Sequence, residues 1–371
     1  MGNRKVLQQM EKKSLTRYKI LNYMMNQGNT SKAELAKKLD LSMPTVLTNV
    51  NELVERGIIE EVGILESTGG RKARSIGLRA DFAYAVGIDI TANHLGMVLV
   101  NLRGEVIKWE RIRLTFAPDV TYCSQIGDHI RSFCRDTEES RILGVGVSLP
   151  GIINKEEHLL VKSHALKLEN YSLKVMESFL PYKAFFENDA NAAMLAENPK
   201  QLANAVYLSL NNTLGGAICM NGVLFTGRNQ KAGEFGHMLL MPGGRRCYCG
   251  KAGCADAYCA ASVLTEGNSR SLDVFMESVG KDEKSDAMWQ EYLENLAMLI
   301  SNVRMAFDTD IILGGDVGGY LLGYMVELGQ KIFKYNLFDK DLSYLKNCSY
   351  QREASAVGVA KYFFRELIEQ I

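Results

Sequence analysis

The chain has 371 residues, 43 Lys/Arg against 43 Asp/Glu, 47% hydrophobic residues and 23% charged ones. This is enough apolar material for two or three packed domains, and the zero net charge excludes a protein that coats polyanions through its overall charge. Six prolines and no biased tract exclude a fibrous or disordered chain, and no apolar run reaches the ~18 residues of a membrane span.

The charges are unevenly placed. Residues 1–80 hold 14 Lys/Arg against 8 Asp/Glu, and the remainder 29 against 35. A basic head on an acidic body suggests a nucleic-acid module joined to something else. Arg4 and Lys5 are followed by no apolar stretch, so a cytoplasmic protein with reduced thiols is expected.

In chain order, Leu15, Tyr18, Leu21 and Met25 form an apolar stripe that predicts a helix over 12–26, stopped by Gly28. Ser31 and Glu34 have the spacing of a capping box and open a short helix that buries Leu35 and Leu39 and ends near Asp40. Ser42 and Pro44 open a third, with Val46, Val50, Leu53 and Val54 inward. Thr45, Thr48, Asn49 and Glu52 are left outward. Two short helices with a tight turn, the second with a polar outer face, make a helix-turn-helix.

Strands over 58–65 and 73–78 around the turn 67–70, with Arg71, Lys72 and Arg74 beside it, make a basic wing. A helical bundle for protein contacts shares some of these features, but the order, the capping and the wing together favour double-stranded DNA. No Lys or Arg occurs between Leu41 and Glu55, so base reading falls to Ser42, Thr45, Thr48 and Asn49. Phosphate contacts fall to Lys12, Lys13, Lys32, Lys37, Lys38, Arg56 and the wing. Modest affinity per site then implies a homodimer on a two-fold operator, or a homotetramer.

From Asp81 the pattern is α/β. Strands are expected at 85–90, 97–102, 106–114 and 142–148, with a helix over 121–135. A second set repeats the plan, with strands at 205–210, 216–220 and 311–313 and a long helix over 289–307. Two such lobes suit a ligand held in a cleft. The run from Phe185 to Ala192 brings Glu187, Asn188 and Asp189 to a strand end before a helix of small residues, where a carboxylate and an amide can meet hydroxyls or cap the helix.

His237, Cys247, Cys249 and Cys254 follow with the spacing H-x9-C-x-C-x4-C, which fits a structural zinc site with all four positions filled by protein. Cys123, Cys134, Cys219, Cys259 and Cys348 are expected to be buried thiols.

Together these residues resemble the ROK family of sugar kinases and sugar-responsive repressors. The resemblance is carried by Glu187-Asn188-Asp189, by Glu234-x-Gly236-His237 and by Cys247-x-Cys249-Gly250-x-x-Gly253-Cys254. The winged head is what its repressor branch carries. The resemblance implies a winged helix-turn-helix over 1–80 and a two-lobed, actin-like and ribonuclease H-like ROK domain. Its small lobe would span 81–187, joined by a C-terminal helix over 355–371. Its large lobe would span 188–354, with the zinc loop at 237–254.

It further implies that Asn188, Asp189, Glu234 and His237 bind a sugar, Asp189 standing where the kinases keep a general base. Asp256 stands where the family usually has Glu. Phosphate-binding glycines of the family are replaced at Thr91-Ala92 after Asp89, within the run Asn211-Asn212-Thr213-Leu214-Gly215-Gly216-Ala217, and at Asp316, which implies a degenerate ATP site. The expectation is a sugar-responsive regulator and not an enzyme. The alternatives are an active kinase with a DNA-binding head, and a ligand-blind repressor governed by a protein partner.

Overall fold

The computed structural model describes residues 2–64, 74–197, 202–267, 269–350 and 353–371. The head opens with the helix Gly2–Gln27, much longer than the predicted one. Thr16, Ile20, Leu21 and Met24 form its buried face, while Leu15 is exposed. Leu21 is thus buried as expected, with Tyr18 and Met25 partly buried against the same core, and Ile20 and Met24 join them because this helix packs on the body as well as on its own domain.

The helix Lys32–Leu39 starts as expected, Ser31 Oγ accepting the Glu34 amide N–H at 3.1 Å. The Glu34 carboxylate accepts from the hydroxyls of Thr30 and Tyr23. The helix Met43–Glu55 follows from its Ser42 cap, and Val54, expected inward, is exposed.

The wing strands Ile59–Ile64 and Arg74–Leu78 pair antiparallel, and Thr30–Ser31 adds a third strand beside Arg74–Leu78. The expected wing turn, with Arg71 and Lys72, lies outside the described residues.

The body holds two five-stranded sheets with one topology. In the first, Tyr84–Ile90, His94–Asn101 and Val106–Arg113 run antiparallel, while Ile142–Leu149 and then Ala184–Asn188 add parallel on the other side of Tyr84–Ile90. The second repeats this with Ala205–Leu210, Leu214–Met220 and Val223–Leu224, then Asp310–Gly314 and Leu345–Asn347. Its core is closed by the helix Glu283–Phe307, whose Trp289 and Tyr292 stack at 5.5 Å. A small sheet of Ile152–Asn154, Leu159–Ser163 and Leu168–Ser172 has no counterpart in the expected elements. Its strands are short, with no sustained alternation to announce them.

The C-terminal helix Ala354–Gln370 ties these parts together. Glycines let its backbone touch others directly: a Cβ on Gly87 would lie 1.8 Å from the Ala356 carbonyl oxygen, and one on Gly358 would lie 1.7 Å from that of Ala192. The far side of the helix enters the head. Phe363, Phe364 and Ile368 share one core with Ile20, Leu21, Met24 and Leu53 of the head and with Val98 and Val100 of the first sheet. Arg103 reinforces the junction by donating to the Leu78 carbonyl at 2.7 Å and to Glu60 at 2.8 Å.

Gly358→Val must push these two helices apart. It should lower stability by about 1–3 kcal/mol, read as a lower urea midpoint. An unchanged midpoint would show that the contact is loose.

Candidate functional site

The strand Ala184–Asn188 ends where the helix Asp189–Ala196 begins, and Asn188 is the cap. Its Oδ1 accepts the amides of Ala190 and Asn191 at 3.0 and 3.1 Å, and its Nδ2 donates to the Gly151 carbonyl and to Asp189 Oδ1. Glu187, fully buried behind it, accepts from the Asn188 amide and the Asn191 side chain and is ion-paired with Lys155. These bonds aim Asp189 into the cleft. Burial raises its carboxyl to about 7, with the Asp89 carboxylate and then Glu234 adding to the rise against the pull of the Ala190 amide.

Two compartments meet at Asp189. The inner one, of about 340 Å3, lies among Asn188, Glu234, His237, His164, Tyr248 and Lys231. The outer one, of about 630 Å3, is lined by Asp89, Thr91, Ser209, Asn211, Asp316 and Glu353 among others. Both touch Pro150, Ala165, Asp189 and Thr213. Glu234 is held above the ordinary carboxylate range by burial.

One wall of the inner compartment is the loop that carries the cysteines. The ligand atoms of His237, Cys247, Cys249 and Cys254 all lie within 4.8 Å of one another. Cys247 Sγ is 3.8 Å from His237 Nδ1, and the Cys249 and Cys254 sulfurs are 3.7 Å apart. A thiolate–zinc bond of about 2.3 Å gives tetrahedral edges of about 3.8 Å, close to these two separations, so the four donors fit such an ion with a small contraction of the cluster. Gly253 makes the tight fold possible: its φ is +90°, and a Cβ there would meet the Met241 carbonyl at 1.9 Å. With Nδ1 toward the sulfurs, His237 turns Nε2 toward Tyr248 Oη at 3.3 Å and Glu234 at 4.0 Å.

Asn188, Asp189, Glu234 and His237 therefore come together as expected from the sequence. Asp256 does not join them, because its buried carboxylate accepts the Leu214 amide at 2.7 Å and so braces the loop beside the compartment. Sequence reasoning missed His164, whose ring packs 6.0 Å from His237 and 5.5 Å from Tyr248. It stands in a turn of the small sheet, where no motif marks it. Tyr248 was hidden between two cysteines. Among the other cysteines, Cys123, Cys134, Cys219 and Cys259 are buried as expected, while Cys348 is only half-buried.

In the head, Ser42 and Thr48 are exposed and Thr45 is half-buried, its hydroxyl bonded to Ser42 at 2.8 Å. Asn49 corrects the expected outward face. It is 4% exposed and its Nδ2 donates to the Thr45 carbonyl, so it packs inside the head. Met43 and Leu47 stand on the outer surface instead, joined by Asn51, whose side chain accepts from Lys32. Lys13 and Arg17 both pair with Glu52, which therefore also turns inward. Arg74 is exposed and bidentate on Glu61.

Residues 85–366 match the ROK family, and residues 13–60 match a winged helix-turn-helix DNA-binding domain. The chain belongs to the ROK family. It is 28% identical over 326 residues to a putative xylose repressor of Caldicellulosiruptor sp. (strain Rt8B.4), covering 84% of this chain and 79% of that one. It is 27% identical over 248 residues to the dual regulator NagC of Escherichia coli K12, covering 64% and 61%. Among solved structures, a ROK transcriptional regulator homologous to the E. coli MLC protein superposes with a TM-score of 0.73 at 19% identity, over 96% of this chain and 98% of that one. A ROK glucokinase of Streptomyces griseus, solved with glucose and AMPPNP, matches 76% of this chain and 99% of that one, with a TM-score of 0.60 at 19% identity. These likenesses show a shared fold that, with the regulator, extends through the head.

Within this ROK fold, the turns at Thr91 and at Asn211, which border the outer compartment, are bonded to their own neighbours. The Thr91 amide donates to the His94 carbonyl, and the His94 amide to Thr91 Oγ1. Asn211 Oδ1 accepts the Asp316 amide at the start of the helix Gly315–Leu321, and Asp316 adds a carboxylate to that first turn. One of the free amides of this helix start is thereby taken from within the chain.

The raised Asp189 has a pH signature. Its folded value of about 7 lies above the ordinary 3.8, so the folded chain binds this proton more tightly than the unfolded chain does. Stability without ligand should therefore fall as pH rises between those values and level off above the upper one. Asp189→Asn should exceed the parent in urea midpoint at pH 8, with the gap narrowing at pH 5. An equal gap at both pH values would contradict the assignment.

Proposed function

We propose that this protein is a sugar-responsive transcriptional regulator, acting as a repressor, whose winged head binds operator DNA and whose inner compartment binds a monosaccharide or a derivative of one. The observation that carries this reading is the single core joining the head to the helix Ala354–Gln370, which also lies against the helix that starts at Asp189. The names of the relatives, repressors for xylose and N-acetylglucosamine among them, support it.

The chemistry of the compartment suits a sugar. Asp189 and Glu234 can accept from hydroxyls, and the rings of His164 and Tyr248, tilted by 59° to each other, offer aromatic surface to the C–H groups of a pyranose. A ligand shifts the equilibrium only through its preference for one arrangement of the lobes, at about 1.4 kcal/mol per tenfold difference in affinity. On this reading the protein works in the cytoplasm as a homodimer on a two-fold operator. The operator must be read by Ser42, Thr45 and Thr48 with phosphate contacts from the wing, since the helix Met43–Glu55 carries no cation.

We assign the His237, Cys247, Cys249 and Cys254 cluster to structural zinc. A bound ion would take all four donors and hold the loop that presents His237 Nε2 and Tyr248 to the ligand. The kinase alternative keeps Asp189, but the self-bonded turns and Asp316 oppose nucleotide phosphate, so the reading is of a protein that is not an enzyme.

Asp189→Ala should abolish release of operator DNA by sugar and leave DNA affinity unchanged, measured by anisotropy of labelled operator. Release that persists would place the effector elsewhere. Cys249→Ser, or strong chelation, should unfold the loop and cost at least tenfold in sugar affinity by calorimetry. Affinity unchanged after verified metal loss would break that link.

A further inference from the structure

The outer compartment is the larger of the two, at about 630 Å3, and has no part in the reading so far. It adjoins the inner one, the two sharing Asp189, Thr213, Pro150 and Ala165 as a common wall. Each compartment alone falls within the size of a small-ligand site, about 300–1,000 Å3. A single sugar ring seated in the inner one therefore leaves the outer one empty.

The lining of the outer compartment says what could fill it. Asp89, Asp189, Asp316 and Glu353 all border it. The two cations there are already engaged, Arg111 near Glu353 at 3.8 Å and Arg270 with the Leu264 carbonyl and Glu266. Three backbone amides of its wall, those of Thr91, His94 and Asp316, are bonded to His94, Thr91 and Asn211. A phosphate would thus meet four carboxylates, with those three amides already taken. What the compartment does offer is neutral polar groups, Asn212 and Ser271 together with the remaining hydrogen-bonding capacity of Thr91, Ser209 and Asn211, which are also bonded to their neighbours, beside Ala92 and Leu272. Hydroxyls and amides mixed with small apolar patches suit a second, uncharged sugar ring.

We propose that the effector is a neutral disaccharide, one ring in each compartment, with the glycosidic oxygen beside Asp189. This rests on the sugar-effector reading and adds the class of sugar. It separates effectors by charge as well as length, because a monosaccharide phosphorylated at the hydroxyl facing Asp189 would push its phosphate among the carboxylates.

The test is calorimetry on the full-length protein. The ligands are glucose, xylose, N-acetylglucosamine, glucose 6-phosphate, cellobiose, gentiobiose, maltose, xylobiose and the ATP analogue AMP-PNP. Asn93→Trp serves as the blocking variant. Asn93 is an exposed turn residue that lines only the outer compartment, so the indole should fill that space without touching the core.

The proposal expects one disaccharide to bind at least tenfold more tightly than its own monosaccharide, and the variant to erase that advantage while leaving the monosaccharide unchanged. A monosaccharide that binds as tightly as every disaccharide overturns the proposal and leaves the sugar-effector reading standing. So does a disaccharide advantage that Asn93→Trp does not reduce. Binding of glucose 6-phosphate or AMP-PNP that the variant removes also overturns it, by showing a phosphate site. Failure of every sugar to bind either protein would instead remove the sugar-effector reading itself.

Discussion

The contact between the backbones of Gly358 and Ala192 is the constraint on which the rest of this molecule depends. It places the C-terminal helix so close to the helix Asp189–Ala196 that neither can shift alone. Two cations of the C-terminal helix then hold the far end of the shorter one. Lys361 Nζ donates to the Ala196 carbonyl at 2.8 Å and Arg365 Nη2 to that of Leu195 at 3.4 Å. Positive charge at a helix C-terminus meets the negative end of the peptide dipoles, and here it is buried, which pushes Lys361 down to about 8. The same helix continues into the core of the head. An event at Asp189 thus has a short, densely packed route to the DNA-binding domain, through side chains that cannot yield by small deformations.

The cleft itself is built against its own stability. Asp89 and Asp189 are both raised by burial, with Glu234 raised at the cleft's more open edge, and among the described residues the groups acting on Asp189 include no cation. Such a cluster is costly until something with hydroxyl groups donates to it, which is the arrangement expected where binding is meant to change a conformational balance. The loop opposite adds rigidity of another kind, with four metal-competent donors gathered by tight glycine turns.

Much of this was legible before any coordinates. The caps at Ser31 and Ser42 depend on local chemistry and appear where their spacing put them. The doubled α/β plan follows from apolar strands with regular turns, and the His/Cys spacing identifies its own cluster. What was not legible depends on contacts between distant segments. The periodicity of the first helix could not reveal that it packs on residues some 340 positions later, so Leu15 was placed inward and Ile20 overlooked. Asn49 reads as a polar residue on an outer face until its amide finds the Thr45 carbonyl. His164 carries no local signature, and only the small sheet brings it to the cleft.

The central claim is that one chain joins a sugar cleft to a specific reader of DNA. The most direct measurement is a selection of genomic DNA fragments by the purified full-length protein, run with and without sugars. The account predicts enrichment of a two-fold symmetric sequence that is lost when one sugar is present. Enrichment that is indifferent to every sugar would contradict it, and would mean that the cleft and the head, although packed as one body, do not speak to each other.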